Sequence, residues 1–427
     1  MGTNKNKKTK RGGTKRKMTV EQSIAYKSVS EWVYLDSSSN ISCSNSAISI
    51  DDDFKVKLVH TKVSAEKLAF DLHSHSICSD GFLSPVKLVE KAHQFGVKVL
   101  SLTDHDTMAG IPQALEAARR VGIKIIPGVE ISTIFTPRTE SGSEEPVHVL
   151  AYYSSCGPSD FEKLDHFLAN IREGRYLRAK NMISKLNKLK LPLRWENVEK
   201  IAGDGVAPGR VHVARAMVEA GHVENLKQAF SRYLYDGGPA YSTGSEPDAE
   251  EAVQLICETG GVAVLAHPWA LKNPAAVIRR LKEAGLHGLE VYRSDGKLAA
   301  FSDLADAYNL LKLGGSDYHA RGGSSESALG SVSLPVVAVH EFLKVARPIW
   351  CAAIKKTVDR YVNDPTESNL DLILKYAKTK LAKNGVLSIT NNIELIHECL
   401  SQWLTNEEQN ALDFEAIKHV GNIDNTS

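Results

Sequence analysis

Leu68-Ala69-Phe70-Asp71-Leu72-His73-Ser74-His75 sets two histidines, spaced i and i+2, directly at the end of a short apolar run. Alternate side chains of an extended segment share a side, so both imidazoles can reach one point at a buried strand's end. The arrangement recurs along the chain. Thr103-Asp104-His105-Asp106 follows an apolar run at 97–102, and Gly128-Val129-Glu130 closes one at 123–129. Ala266-His267-Pro268 ends the run 261–266, and Gly315-Ser316-Asp317-Tyr318-His319 ends the run 311–315. Ser79-Asp80-Gly81 adds a carboxylate just beyond the first run. Val147-His148 is the misfit, because its histidine stands near the start of the run 147–152. That strand is expected to be antiparallel or differently placed.

Working outward, a seventh apolar run lies at 288–292, and helical patterns fill most of the intervals, at 85–95, 111–121, 248–259, 275–284 and 297–310. Strand, crossover and strand repeated in this way imply a parallel sheet. An open sheet gathers its site at one switch point, whereas a barrel brings every strand's C-terminal end to one mouth. Ligand-type residues at the ends of five runs favour the second. The expected fold is α/β, a distorted seven-stranded (β/α) barrel over residues 67–345.

One interval is too long for a crossover. Residues 158–246 hold a long helical pattern at 160–191, charged on one face, a second at 210–220, and the breaker Gly237-Gly238-Pro239. This reads as a helical insertion over the barrel mouth, suited to selecting substrate. Residues 1–66 are polar and read as a mostly disordered tail. Their first 18 positions carry Lys5, Lys7, Lys8, Lys10, Arg11, Lys15, Arg16 and Lys17 and no acid. A solvated basic tail is the first reading, and a nuclear-import or RNA-tethering patch the second. Residues 346–427 read as a helical extension, with patterns at 370–381 and 392–404.

Bulk properties narrow the class. With 427 residues, 42% hydrophobic and 24% charged, the composition is that of a globular protein, and a net charge of +1 gives no global pull toward nucleic acid or membrane. No run of ~18 apolar residues occurs, so no membrane partner is expected. The six cysteines are scattered without a CxxC pair, so free thiols and no disulfide-linked partner are expected. An intracellular destination follows, cytoplasmic or nuclear, with an organelle less favoured because transit peptides prefer Arg and Ser to Lys runs.

Six histidines (His73, His75, His105, His148, His267, His319) and three carboxylates (Asp80, Glu130, Asp317) make up the recurrent set. Imidazole with carboxylate binds first-row divalent metals, and nine such groups exceed what one ion uses. A multinuclear metal hydrolase is the reading. The mixed donor set accepts manganese, iron, zinc or magnesium, with manganese expected. Asp71 and Asp104, beside ligands, are candidates to orient an imidazole. A water bridging two cations has its pKa lowered toward neutrality, which supplies a metal-bridging hydroxide for in-line attack without a protein base.

The HSHS, TDHD, GVEIS, AHP and GSDYH segments, in this order over residues 68–340, resemble those of the PHP (polymerase and histidinol phosphatase) family. The resemblance implies a distorted seven-stranded barrel with two or three metals at its C-terminal mouth, three on the full ligand set. It implies that His73, His75, Glu130 and Asp317 hold one metal, Glu130, His148 and His267 a second, and Asp80, His105 and His319 a third. Glu130, Asp317 and His319 are expected to serve catalysis. Asp80 in the context SDG is similar to the branch that cleaves nucleoside 3′,5′-bisphosphates and the 5′ ends of short RNA. Gly209-Arg210-Val211-His212-Val213-Ala214-Arg215 resembles the insert of that branch. Arg210 and His212 would then grip the substrate's second phosphate, or the next phosphodiester, and Arg293 and Arg321, just past strand ends, are alternative phosphate contacts. Tyr292 or Tyr318 is a candidate to stack on a base.

The expected activity is therefore phosphate release from nucleoside 3′,5′-bisphosphates, extending to 5′→3′ trimming of short RNA. A histidinol-phosphate-type monoesterase is the alternative enzyme, against which Asp80 and the basic insert count. A non-catalytic RNA- or protein-binding scaffold is the alternative class, against which the intact ligand set counts.

Overall fold

The computed structural model of the chain describes residues 18–34, 68–136, 144–296, 299–322 and 326–374. Seven strands form one curled sheet in chain order: β1 (Ala69–Asp71), β2 (Val97–Leu102), β3 (Lys124–Phe135), β4 (Glu145–Tyr152), β5 (Val262–Leu265), β6 (Gly288–Glu290) and β7 (Leu311–Leu313). β1, β2 and β3 pair in parallel, as do β5, β6 and β7, while β4 runs antiparallel to both its neighbours. Too few residues separate Phe135 from Glu145 for a parallel crossover, which takes about a dozen or more. The reversal accounts for the misfit histidine, because the start of an antiparallel strand lies at the mouth where its neighbours end. β1 and β7 meet just past their own ends: Asp317 N–H donates to His73 O and His75 N–H to Tyr318 O, both at 2.9 Å.

Alternation along the strands divides the apolar residues between two layers. Phe70, Leu72, Val99, Ile126, Leu150, Tyr152, Val264 and Leu313 fill the inside of the curl. Val97, Leu100, Leu102, Ile125, Val129, Val149 and Leu265 face outward. They pack against α2 (Pro85–Gln94), α3 (Ile111–Val121), α8 (Ala249–Glu258) and α9 (Pro274–Ala284). Ser84 caps α2, accepting from Lys87 N–H, and Gly122 ends α3 in the left-handed conformation.

Two expectations about the flanks are corrected. Residues 20–34, assigned to the disordered tail, form α1 (Val20–Tyr34), whose Val29 and Trp32 join the inner core. With buried Ala25 these make three apolar side chains on one face, enough when a preformed core offers them a place. The proposed boundary at 346 falls inside one continuous helix, α11 (Val336–Asn363), whose Phe342, Leu343 and Trp350 pack in the same core. That helix belongs to the barrel rather than to an extension. The pattern at 297–310 is α10 (Ala299–Ala307), and that at 370–381 begins earlier as α12 (Glu367–Leu374). The basic stretch 1–17 and the pattern at 392–404 lie outside the described residues.

The interval between β4 and α8 holds α4 (Phe161–Lys188), α5 (Trp195–Ala202), α6 (Arg210–Glu219) and α7 (Leu226–Ala229), the last continued by a π turn, Phe230–Leu234. These close on an apolar cluster of their own, including Met182, Leu186, Val198, Val213, Met217 and Leu234. Among the described residues no helix is long and apolar enough to cross a membrane.

Candidate metal centre and the cavities around it

All nine ligand-type side chains converge at the mouth. His73 Nε2 lies 3.1 Å from His75 Nε2, 3.2 Å from Glu130 Oε2 and 3.4 Å from Asp317 Oδ1. His75 Nε2 is 3.1 Å from each of the same two carboxylates. Glu130 turns its other oxygen to His148 Nδ1 at 2.9 Å and His267 Nε2 at 3.0 Å, and His105 Nδ1 reaches Oε2 at 3.3 Å. Asp80 Oδ1 is 3.1 Å from His319 Nε2 and 4.0 Å from His105 Nε2. Three subsets have donor atoms close enough to share an ion: His73, His75, Glu130 and Asp317; His75, Asp80, His105 and His319; and His105, Glu130 and His148. His75 and His105 thus each face two subsets, where the resemblance gave each one metal.

The donors fit divalent metal ions on their own chemistry. His319 Nδ1–H donates to Asp317 O at 2.8 Å, which leaves a bare Nε2 against the Asp80 carboxylate. In its neutral form His73, donating Nδ1–H to Glu290 Oε1 at 3.2 Å, turns a bare Nε2 to His75 Nε2. Acceptors aimed at one another in a buried place ask for a cation between them. His75 Nδ1, Asp80 Oδ1 and His105 Nδ1 are also buried without a hydrogen bond. Burial pushes the Glu130 carboxyl up, but the imidazoles of His105, His73 and His148 outweigh it and hold it well below the usual carboxylate range.

The backbone is bent to make this possible. Asp106, His267 and Asp317 all have positive φ, at 56°, 26° and 52°. Non-glycine residues in that region concentrate where surrounding contacts enforce them. A Cβ at Gly315 would stand 2.4 Å from His73 Cβ, so only glycine lets β7's end pass this close to the first histidine.

The two aspartates expected to orient imidazoles do something else. Asp71 accepts the amides of Ser316 and Gly330, each at 2.8 Å, and Asp104 accepts Ser76 N–H at 2.7 Å and the hydroxyls of Ser76 and Ser79. They pin the loops that carry the ligands. Outside the nine, a carboxylate that does meet an imidazole is Glu290 of β6, whose other oxygen accepts the His267 backbone N–H at 2.8 Å. Its signal was a lone acid inside an apolar run, Gly288-Leu289-Glu290-Val291.

A cavity of about 230 Å³ opens on the cluster between the barrel and the insertion. Seven of the nine donors line it, with His73 and His75 behind them, and its other walls carry Arg175, Arg178, Arg210 and Arg321. Arg175 Nε donates to Asp106 Oδ2 at 2.6 Å and its Nη2 to Ser132 Oγ, which fixes α4 to the ends of β2 and β3. Arg178 pairs with Glu246 at 2.8 Å, and Arg210 pairs with Asp236; both guanidiniums lie near the Tyr241 ring. Of the predicted phosphate contacts, Arg210 and Arg321 line this cavity. His212 does not; it is 2% exposed, and its Nδ1 accepts the Gly209 amide at the start of α6. Arg293 faces a neighbouring cavity. Arg175 and Arg178 went unnoticed because a long charged helix gives no hint which arginines turn inward. Tyr318 is buried under Lys91, and Tyr292, half-buried, packs against the cores and lines a cavity that none of the nine donors reaches.

A family model described as PHP domain matches residues 71–234. The 5′-3′ exoribonuclease of Haemophilus influenzae is 35% identical over 258 residues, 58% of this chain and 89% of that protein. The 3′,5′-nucleoside bisphosphate phosphatase of Chromobacterium violaceum is 33% identical over 294 residues, 66% of this chain and 94% of that protein. A solved structure from Bifidobacterium adolescentis, put forward as a metal-dependent phosphoesterase, matches with a TM-score of 0.56 at 29% identity, covering 65% of this chain and 96% of that one. With the seven-stranded sheet, the ordered ligand motifs and relatives matched over nearly their whole length, the chain belongs to the PHP family.

Proposed function

We propose that the protein is a metal-dependent phosphoesterase that releases phosphate from nucleoside 3′,5′-bisphosphates and trims short RNA from its 5′ end. The observation that carries this is one cavity with a metal-type cluster as its floor and four arginines in its walls. A simple monophosphate needs the floor alone. A second phosphate on the same substrate gives Arg178 and Arg210 a purpose, since a guanidinium's planar fork matches phosphate oxygens. The relatives' names point to the same pair of substrates.

Three divalent ions, manganese favoured, would be held by His73, His75, Glu130 and Asp317, by Glu130, His148 and His267, and by Asp80, His105 and His319. When bound they would lower the pKa of a water and offset charge on the phosphate oxygens. The chain's own groups orient the rest. Glu290 and the Asp317 carbonyl hold His73 and His319 with their bare nitrogens inward. Arg321 Nη2, donating to Asp80 Oδ2 at 3.0 Å, stands at the rim where the scissile phosphate enters. Arg178 and Arg210 hold the remote phosphate, and the insertion, residues 158–246, shields the site from bulk water.

The test is phosphate release from adenosine 3′,5′-bisphosphate by the purified full chain, with manganese and then with a chelator. Manganese-dependent release that stops on chelation supports the reading. Equal or faster turnover of histidinol phosphate would replace the substrate, and no turnover of any phosphoester by metal-loaded protein would favour a scaffold.

A further inference from the structure

A bisphosphate and an RNA differ in one respect at this site. The scissile phosphate of RNA is a diester and carries a second nucleotide. Water adds at phosphorus, the bond to the 3′ oxygen of the first nucleotide breaks, and that oxygen leaves as a hydroxyl. The phosphate stays on the 5′ oxygen of the downstream nucleotide. A monoester therefore needs one cavity beside the cluster, whereas a diester needs two that meet at the phosphate.

Two such cavities meet here. The arginine-walled one and a second of about 290 Å³ share Asp317, His319 and Arg321. The second is walled by Trp269 and Arg293. The Arg293 guanidinium carbon lies 4.2 Å from the Trp269 ring centroid, and Nη2 donates to Asp295 Oδ2 at 2.8 Å. Phe301 meets the indole edge-on, with ring centroids 6.2 Å apart. The indole and guanidinium are thus a braced planar pair, both half-buried, one wall away from the ligand cluster. The cavity on the opposite flank, of about 370 Å³, adjoins through His105 and Arg175 and is walled by Met108, Leu164, Leu168 and Phe161 with Asp165, Arg172 and Asp204, but it does not reach Asp317, His319 or Arg321.

Resting on the function proposed above, we infer that Trp269, with Arg293 layered on it, is the stacking platform for the base downstream of the scissile phosphate in short RNA. Every base has a π face, so stacking tolerates any sequence, and bases stack on aromatic rings and on guanidinium planes alike. An enzyme that advances one nucleotide at a time meets a different base at each step, and a hydrogen-bonding pocket would not serve it.

The experiment compares the full chain with its Trp269→Ala, Trp269→Leu and Trp269→Phe variants on two substrates, adenosine 3′,5′-bisphosphate and a 5′-phosphorylated pentaribonucleotide. Loss of stacking should lower kcat/KM on the oligonucleotide about fivefold or more for Ala and Leu, with Phe largely retained. Bisphosphate turnover should change less than about twofold, within the scatter expected when no contact is lost. An abasic second nucleotide should cost the wild type the same factor and cost Trp269→Ala nothing further. Equal losses on both substrates would assign Trp269 to folding and overturn the inference, as would unchanged RNA cleavage in the Ala and Leu variants. A wild type that hydrolyses the bisphosphate but not RNA overturns the inference alone. A wild type inactive on both overturns the underlying function.

Discussion

Glu290 accepts from His73 Nδ1 at 3.2 Å and so decides which nitrogen His73 presents to the cluster. Glu290→Gln keeps the shape but weakens the hold on that tautomer. Metal affinity should fall about 10- to 100-fold, as for other partners of metal-binding histidines. Metal titration followed by activity reads this, and turnover should return at excess metal. Unchanged affinity would show that His73 is oriented by other means.

His73→Ala and Asp317→Ala each remove a donor shared by the most buried subset. Turnover and bound metal, the latter counted by elemental analysis, should be lost together. Activity with the wild type's metal content would overturn the ligand assignment.

Arg210 lines the cavity away from the cluster's centre, and its ion pair is with exposed Asp236. Arg210→Ala should raise KM for adenosine 3′,5′-bisphosphate on the order of tenfold, the loss of one charge-assisted contact. KM for a simple monophosphate should barely move. Equal shifts on both would remove Arg210 from second-phosphate binding.

Trp32 is 1% exposed and ties α1 to the inner core. Trp32→Ala should cost about 3–5 kcal/mol of stability, measured by denaturant unfolding. A cost under about 1 kcal/mol, the level of a surface change, would mean that α1 contributes little to the fold.

Burial, ahead of the charges of Arg215, Arg175 and Arg321, pushes the His212 imidazole down to about 4. Its folded value lies below the unfolded one of ~6.5, so the folded state binds fewer protons between them. The stability this gives is present above pH ~6.5 and is lost as pH falls toward 4. Urea midpoints of wild type and His212→Asn should therefore converge on acidification from pH 7 to 5. A constant gap would show that His212 titrates alike in the folded and unfolded states.

The cluster was legible because all of its members but His148 follow an apolar run that reads as a strand, and strand ends in a barrel share one mouth. His148 looked anomalous only because direction is not written in a five- or six-residue run; the antiparallel pairing with β3 sets it. Asp71 and Asp104 were misjudged for a related reason. Adjacency in sequence to a histidine does not say whether a carboxylate meets the ring or the amides of a distant loop, and Ser316 and Gly330 lie far along the chain.

What the sequence by itself determined is the pattern: eight of nine donor-type residues at or beyond the ends of apolar runs, an α/β alternation, and an interval long enough for an insertion. Those features are local, and periodicity and residue type express them directly. What only the tertiary structure decided is which charged and aromatic side chains turn toward that chemistry. Glu290 from the neighbouring strand, Arg175 and Arg178 from one face of α4, and the Trp269–Arg293 pair beside the mouth acquire roles through contacts across long separations. Such contacts depend on how helices and loops pack over the sheet, and no spacing within the chain encodes them.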